Sequence, residues 1–402
     1  MKAEIKERIE QVRRGEVPEG YRRTKDIGIA PYDWAIGQMS DVLHNEQRPV
    51  PKPTEAYWRI RIRSHAKGAF HELVKNPDEV NMEELYAVKS NDLIVNITFA
   101  WEHAVALAKK ADEGLLVSHR FPTYVFNNGN CPEFYKAVIT QGFFKNMLGY
   151  ISPGGAGRNR VMSKPAFLKL PCYIPPTKEQ ERIAEILTHC DKVIELKKQL
   201  IEEKCRQKKW LMQKIFNNKE RVERLEAFAE VLMGQSPGSN TYNSNQEGLP
   251  LIQGNADING RLPEPRQYTT APTKTCNQED LLLSVRAPVG HVSKSTMKAC
   301  IGRGMCAIRP KKHTEYIYQF LLFFEEKWIR VSQGSTFDAI CGDDIRKLEV
   351  PLYSNNIIWR IEQLLSYSDQ EIDLLEQELA QWHAKKKSLM QLLLTGLVRV
   401  KI

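Results

Sequence analysis

Hydrophobic positions along the chain follow two rhythms. In two stretches they recur every three or four residues. Elsewhere they alternate, or run in short blocks closed by Gly and Pro. In residues 182–216 the apolar positions are Ile183, Leu187, Cys190, Ile194, Ile201, Leu211 and Ile215. Steps of four and three, or their sums, give the heptad period of a coiled coil. No Pro or Gly interrupts the stretch, so one unbroken helix is predicted. Lys197, Lys204 and Lys208 fall on the seam without being apolar. The helical rise gives a rod of about 50 Å.

Residues 360–394 repeat this stretch without a gap. Arg182-Ile183 matches Arg360-Ile361, and Asp191 matches Asp369. Ile194 matches Ile372, and Gln199 matches Gln377. Lys208-Lys209 matches Lys386-Lys387, and Leu211-Met212-Gln213 matches Leu389-Met390-Gln391. Matches outside the seam point to duplication of one unit rather than to two unrelated amphipathic helices.

The segments before each helix carry strand patterns in the same order. Residues 57–63 alternate, placing Arg59, Arg61 and Arg63 on one face and Trp58, Ile60 and Ile62 on the other. Adjacent arginines on a sheet face repel unless an anion or a carboxylate lies over them, so phosphate contact is expected there. Residues 249–260 hold the matching place in the second half. Residues 92–97 are answered by 280–285, and Ser118-His119-Arg120-Phe121 by Gly302-Arg303-Gly304-Met305. A helix over 133–146 is answered by one over 316–330. A Gly-rich loop at 150–160 carries Arg158 and Arg160; Gly334-Ser335-Thr336 answers it. Exposed backbone N–H groups in such loops suit anions. A strand stopped by Pro175-Pro176 precedes Thr177, which with Glu179-Gln180 is the expected N-terminal cap of the long helix.

The chain has 402 residues, room for two or three domains. It lacks an apolar run that could span a membrane, and its charged N-terminus has no signal-peptide h-region. Eight cysteines without a CxxC pair argue against a zinc site or a disulfide framework and fit a reducing cytoplasm. A net charge of +9 favours a polyanionic partner such as nucleic acid. No Asn-Pro-Pro-aromatic run, helix-opening GxGxxG or Gly-Lys-Ser/Thr loop occurs. His44, His65, His71, His103 and His119 lack metal-ligand spacing. The acidic pair Asp343-Asp344 reads as a turn or helix cap. Three roles are compatible with these features: a bipartite DNA-binding subunit, a coiled-coil adaptor whose globules bind protein, and a self-sufficient DNA enzyme.

The order of motifs resembles the specificity subunits of type I restriction–modification systems. The residues that carry the resemblance are Ile174-Pro175-Pro176, Glu179-Gln180, Arg182-Ile183-Ala184 and Leu211-Met212-Gln213-Lys214, with Leu394-Thr395-Gly396 and Arg399-Val400 at the chain end. Residues 21–34 resemble the segment that introduces a recognition domain of that family. The second junction, Tyr353-Ser354-Asn355-Asn356, departs from it by lacking the Glu-Gln pair.

The resemblance implies an α+β chain with an internal pseudo-twofold repeat. Two target recognition domains would be separated by two long helices that form an antiparallel coiled coil. The expected boundaries are an N-terminal helical segment at 1–20, recognition domains at 21–176 and 220–356, and helices at 177–219 and 357–402. It further implies a non-catalytic subunit that reads a split double-stranded DNA target and binds two copies of a modification (methyltransferase) subunit. S-adenosylmethionine would belong to that partner, and ATP and Mg to a restriction subunit.

Base readers must present donors and acceptors at strand ends or loops. In the first globule these are Arg63, Asn96, Thr98, Arg120 and Arg158, with Arg59, Arg61 and Arg160 as further DNA contacts. In the second they are Gln253, Asn255, Ser284, Arg286, Arg303 and Thr336. Large apolar residues off the seam form the expected partner face: Leu196, Leu200, Trp210, Met212 and Phe216 on the first helix, and Leu364, Leu374, Met390 and Leu392 on the second. Some of the nine are expected to pack on the globules instead.

Overall fold

The computed structural model describes residues 3–155, 160–218, 220–332 and 339–401. The chain forms two compact units: Met1–Leu196 with Ala380–Ile402, and Lys197–Leu379. The boundaries expected from sequence treated each long helix as a separate block. The compact division instead cuts both helices, Thr177–Phe216 and Asn355–Leu394, along their length. The reason is side-chain packing. Ile183, Ala184, Leu187, Leu393 and Leu394 belong to the first core. Met212, Phe216, Ile358, Ile361 and Leu365 belong to the second.

The two units share one strand order. The first has a five-stranded sheet in the order Pro49–Pro51, Glu84–Ala87, Leu116–Val117, Tyr57–Ile62, Ala69–Val74. The second has Thr275–Cys276, Ala299–Ile301, Leu249–Ile252, Gln267–Thr269, Tyr242–Asn243. Each contains one parallel pair: Leu116 beside Arg59, and Cys300 beside Leu251. The units differ in which edge carries the fifth strand. A four-stranded antiparallel sheet follows in each, centred on Leu93–Val95 with Thr123–Phe126, and on Leu281–Ser284 with Met305–Pro310. Buried Asp92 and Asp280 introduce the matching strands. Each accepts a backbone N–H three residues upstream at 2.8 Å and pairs with an arginine, Arg48 or Arg309.

Local departures from the sequence reading have identifiable causes. The helix expected over 133–146 is two helices, Pro132–Ile139 and Gly142–Tyr150, because Gln141 between them is extended. Its counterpart Thr314–Ser332 is continuous. Trp58 is exposed although it shares a face with buried Ile60 and Ile62. Glu179 and Gln180 do not form a capping box. Both are fully buried: Glu179 accepts from Trp34 Nε1 at 2.9 Å and from Arg399 at 2.8 Å. Gln180 accepts the Cys131 N–H and donates to the Pro175 carbonyl. Asp344 accepts the Cys341 N–H at the start of helix Gly342–Arg346, the capping role expected of it.

Within each unit the helix segments pair antiparallel. In the second unit Lys197 pairs with Glu378, Lys204 with Glu371 at 2.7 Å, and Lys208 with Asp369. The first unit has Lys386 with Asp191. Lys208 and Lys386 are repeat equivalents, as are Asp369 and Asp191, so one ion pair occurs reciprocally in both units. Solvated pairs contribute about 0.2–1 kcal/mol each. Fully burying an apolar side chain contributes about 1.5–3 kcal/mol. The helix ends therefore supply the stability, and the lysine pairs fix the register.

The chain's last turn completes the first unit. Tyr21 donates to the Gly396 carbonyl at 2.6 Å, and Arg8 to the Leu397 carbonyl at 2.8 Å. Gly396 has φ +68, and a Cβ there would lie 2.5 Å from Pro31, so only glycine fits. Arg399 forks onto Asp33 at 2.6 and 2.8 Å while it holds Glu179. Its hydrogen bonds hold the Asp33 carboxyl below the usual carboxylate range. Removing one partner of a buried ion pair costs about 3–5 kcal/mol. Arg399→Ala should fall near the lower end, since Trp34 still serves Glu179. Differential scanning calorimetry should show the transition of the first unit lowered and that of the second unchanged.

Candidate nucleic-acid interface

In the first unit, strands Tyr57–Ile62 and Ala69–Val74 form a hairpin that is two-stranded beyond the single pairing of Arg59 with Leu116. Alternation buries Ile60 and Ile62 on one face. The other face carries Arg59, Arg61 and Arg63. The carboxylate that sequence reasoning left open is Glu72. Its Oε2 accepts Arg59 Nε at 2.8 Å and Arg61 Nε at 2.6 Å. Hydrogen bonds from Arg59 and Arg61 lower the Glu72 carboxyl to about 2. The trio keeps one net positive charge. Arg63 stacks on Phe70 at 4.6 Å and donates to the Ala69 carbonyl.

Arg59 and Arg61 line a cleft of about 380 Å³ together with Asn81, Ser118, His119 and Arg120. The fold thus brings three of the expected DNA contacts together. Arg120 is exposed on the turn after Leu116–Val117. Asn96 is buried, and its Oδ1 accepts the Thr98 N–H at 3.1 Å. It shapes the turn, and its burial keeps it away from the surface. Thr98 is half-buried beside it. Arg160 donates to the Ser152 and Gly149 carbonyls at 3.0 and 2.7 Å, closing the end of helix Gly142–Tyr150 rather than facing a ligand. Arg158 lies outside the described residues.

In the second unit Gln253 and Asn255 line a cleft of about 850 Å³ with Asp257, Arg266 and Gln267. Gln253 Nε2 donates to Gln267 Oε1 at 3.0 Å. Arg303 is exposed on the turn Gly302-Arg303-Gly304. A Cβ on Gly304 would lie 2.3 Å from the Gln253 carbonyl, so this glycine lets the two loops touch. Arg286 is exposed, with its backbone bridged to Ala339. Ser284 is fully buried, donating to the Pro288 carbonyl and accepting the His291 N–H. It holds a loop and is shut off from the surface. Among the described residues, the buried Asn255 Oδ1 has no hydrogen-bond partner. Thr336 lies outside the described residues. Sequence reasoning missed Glu72, Asn81, His119, Arg266 and Gln267. The polar Glu72 within an alternating strand was the available signal.

On the helices Leu196, Leu200, Trp210, Leu364 and Leu374 are exposed. Leu196 and Leu374 are repeat equivalents, 54% and 61% exposed. Met212 and Phe216 are not part of such a face: they are buried in the second core, where Phe216 meets Tyr316, Phe320 and Phe323. Met390 packs against the first core, and Leu392 is half-buried. Among the described residues, no group of three or more His, Cys, Asp or Glu could hold a metal ion. No described helix is long and apolar enough to cross a membrane.

Comparison with known proteins adds three findings. The family model described as the type I restriction modification DNA specificity domain matches twice, over residues 31–203 and 219–381. A Methanocaldococcus jannaschii protein described as the putative type I restriction enzyme MjaX specificity subunit is 28% identical, over 95% of this chain and 97% of its own length. Among solved structures, the HsdS subunit from Thermoanaerobacter tengcongensis is similar with TM-score 0.53 and 23% identity, covering 92% of this chain and 98% of that one. A chain from a study of complex assembly in the type I R-M system is similar with TM-score 0.67 and 23% identity, covering 93% and 99%.

The Glu72 linkage has a defined sign. Its folded value lies below its ordinary one, so its contribution is present above the ordinary value of 4.5 and disappears as pH falls toward about 2. Comparing urea unfolding of the wild type and Glu72→Gln should show a stability gap that is constant above about pH 5.5. The gap should close between pH 4.5 and 2. A gap unchanged across that range would remove the carboxylate's electrostatic role.

Proposed function

The chain belongs to the type I restriction modification DNA specificity family, and on that premise we propose that it reads a bipartite double-stranded DNA target for a type I restriction–modification complex. The observation that carries this reading is the duplication. One fold occurs twice, and each copy has polar side chains at matching positions of the hairpin and of the turn after its parallel strand. Each unit would read one half-site, with an unread spacer between them, as paired reading modules do. The chain contributes recognition and no chemistry. S-adenosylmethionine would be held by the modification subunit, and ATP and Mg by a restriction subunit. The whole would act in the cytoplasm, where the DNA and those cofactors are.

Two copies of the modification subunit are the proposed partners. The support is the repeat itself: exposed Leu196 in one unit and exposed Leu374 in the other are the same position of one duplicated helix. A surface presented twice suits two identical partners.

Footprinting tests the reading directly. Two short protected and sequence-selective half-sites are expected, with a spacer whose sequence is free; one continuous fully specified site would contradict it. Binding should weaken steeply with salt, as counterion release requires. Arg303→Ala should cost about 1–3 kcal/mol at the second half-site only, measured by competition with DNA altered in either half.

For the partners, native mass spectrometry of the complex from its host should give two modification chains per specificity chain. Leu196→Asp with Leu374→Asp should lose both. A soluble single chain that binds its target tightly without company would refute the partner assignment.

A further inference from the structure

The two units place different side chains at one pair of positions. Leu116 lies beside Arg59 and Ala87, and Cys300 beside Leu251 and Thr275. Arg59 is therefore equivalent to Leu251, and Arg61 to Gln253. Across each hairpin, Glu72 faces Arg59 and Gln267 faces Leu251, so Glu72 is equivalent to Gln267. The buried neighbours agree: Ile60, Val88 and Val117 correspond to Ile252, Cys276 and Ile301. Both units make the same diagonal contact. Arg61 Nε donates to Glu72 at 2.6 Å, and Gln253 Nε2 donates to Gln267 at 3.0 Å.

We infer that Arg61 with Glu72, and Gln253 with Gln267, are the corresponding base-reading pairs of the two units, the first reading a G·C pair and the second an A·T pair. This rests on the DNA-reading role proposed above. In each pair the contact occupies one donor of the reader and leaves a planar fork. The structure gives the Nη1 and Nη2 groups of Arg61 no hydrogen-bond partner among the described residues, nor the Oε1 of Gln253. A guanidinium fork matches the O6 and N7 acceptors of guanine; a carboxamide matches N6 and N7 of adenine.

A phosphate-contacting role fits less well. Phosphate needs charge, and Glu72 cancels half of the charge of Arg59 and Arg61 while fixing their direction. Gln253 and Gln267 carry no charge at all.

The test is selection of bound sequences from DNA with both half-sites randomised, using the complex as isolated from its host. The wild type should enrich G·C at one position of the first half-site and A·T at the matching position of the second. Gln253→Arg with Gln267→Glu should change that second preference from A·T to G·C by about tenfold or more, leaving the first half-site as it was. Arg61→Gln with Glu72→Gln should do the converse. The untouched half-site reports folding in each case. Arg61→Lys keeps the charge and loses the fork, so it should lose discrimination at that one position with the salt slope unchanged.

Unaltered preferences in both double variants would make the contacts mere ties within the hairpins and overturn the inference. Uniform weakening with a shallower salt slope would make Arg61 a phosphate contact and overturn it too. Wild-type enrichment of other bases at these positions would sink this assignment alone. No sequence-selective enrichment by the wild type would sink the DNA-reading role itself.

Discussion

Each long helix is anchored in two hydrophobic cores. A helix of 40 residues in water draws its stability mainly from tertiary packing rather than from its own hydrogen bonds. The first helix buries Ile183, Ala184 and Leu187 in one core and Met212 and Phe216 in the other. The second buries Ile358, Ile361 and Leu365 in one and Leu393 and Leu394 in the other. The first unit's core draws on two separate pieces of chain, whereas the second unit is one continuous piece. The first unit needs the chain's last residues, which Tyr21, Arg8 and the Arg399 fork bind. The middle of each helix can therefore be polar. Lys197, Lys204 and Lys208 occupy seam positions because each meets an acid on the facing helix, and a mismatched register would leave those charges unpaired.

This division explains what was legible in the sequence. The seam period and the match of residues 182–216 to 360–394 are local patterns, and they identified the helices and the duplication. The order of strands followed, because Asp92 and Asp280, or Pro-stopped strands, punctuate both halves alike. What failed was the assignment of individual polar and apolar side chains. Glu179-Gln180 looks like a cap, yet its partners are the nearby Pro175 carbonyl and Trp34, Arg399 and Cys131, which are remote from it in sequence. Met212 and Phe216 lie off the heptad seam, but a helix end embedded in a domain core buries more than its seam. Asn96 and Ser284 are strand-end polars like the other expected readers. Their acceptors are occupied by backbone N–H groups, which composition cannot reveal.

The polar faces of both units depend on a further separation, that between the two faces of a strand. Period two assigns Ile60 and Ile62 to the core and Arg59 and Arg61 to the open face. In the second unit Leu251 and Ile252 are both buried, and Gln253 just past the strand end stays accessible. A one-residue slip would exchange the faces, so the buried isoleucines hold the polar side chains in register. The accessible side chains can then differ between the units without disturbing the core. Arg61 with Glu72, and Gln253 with Gln267, make the same diagonal contact with different chemistry, one ionic and one neutral. Two copies of one scaffold can in this way present two different polar surfaces.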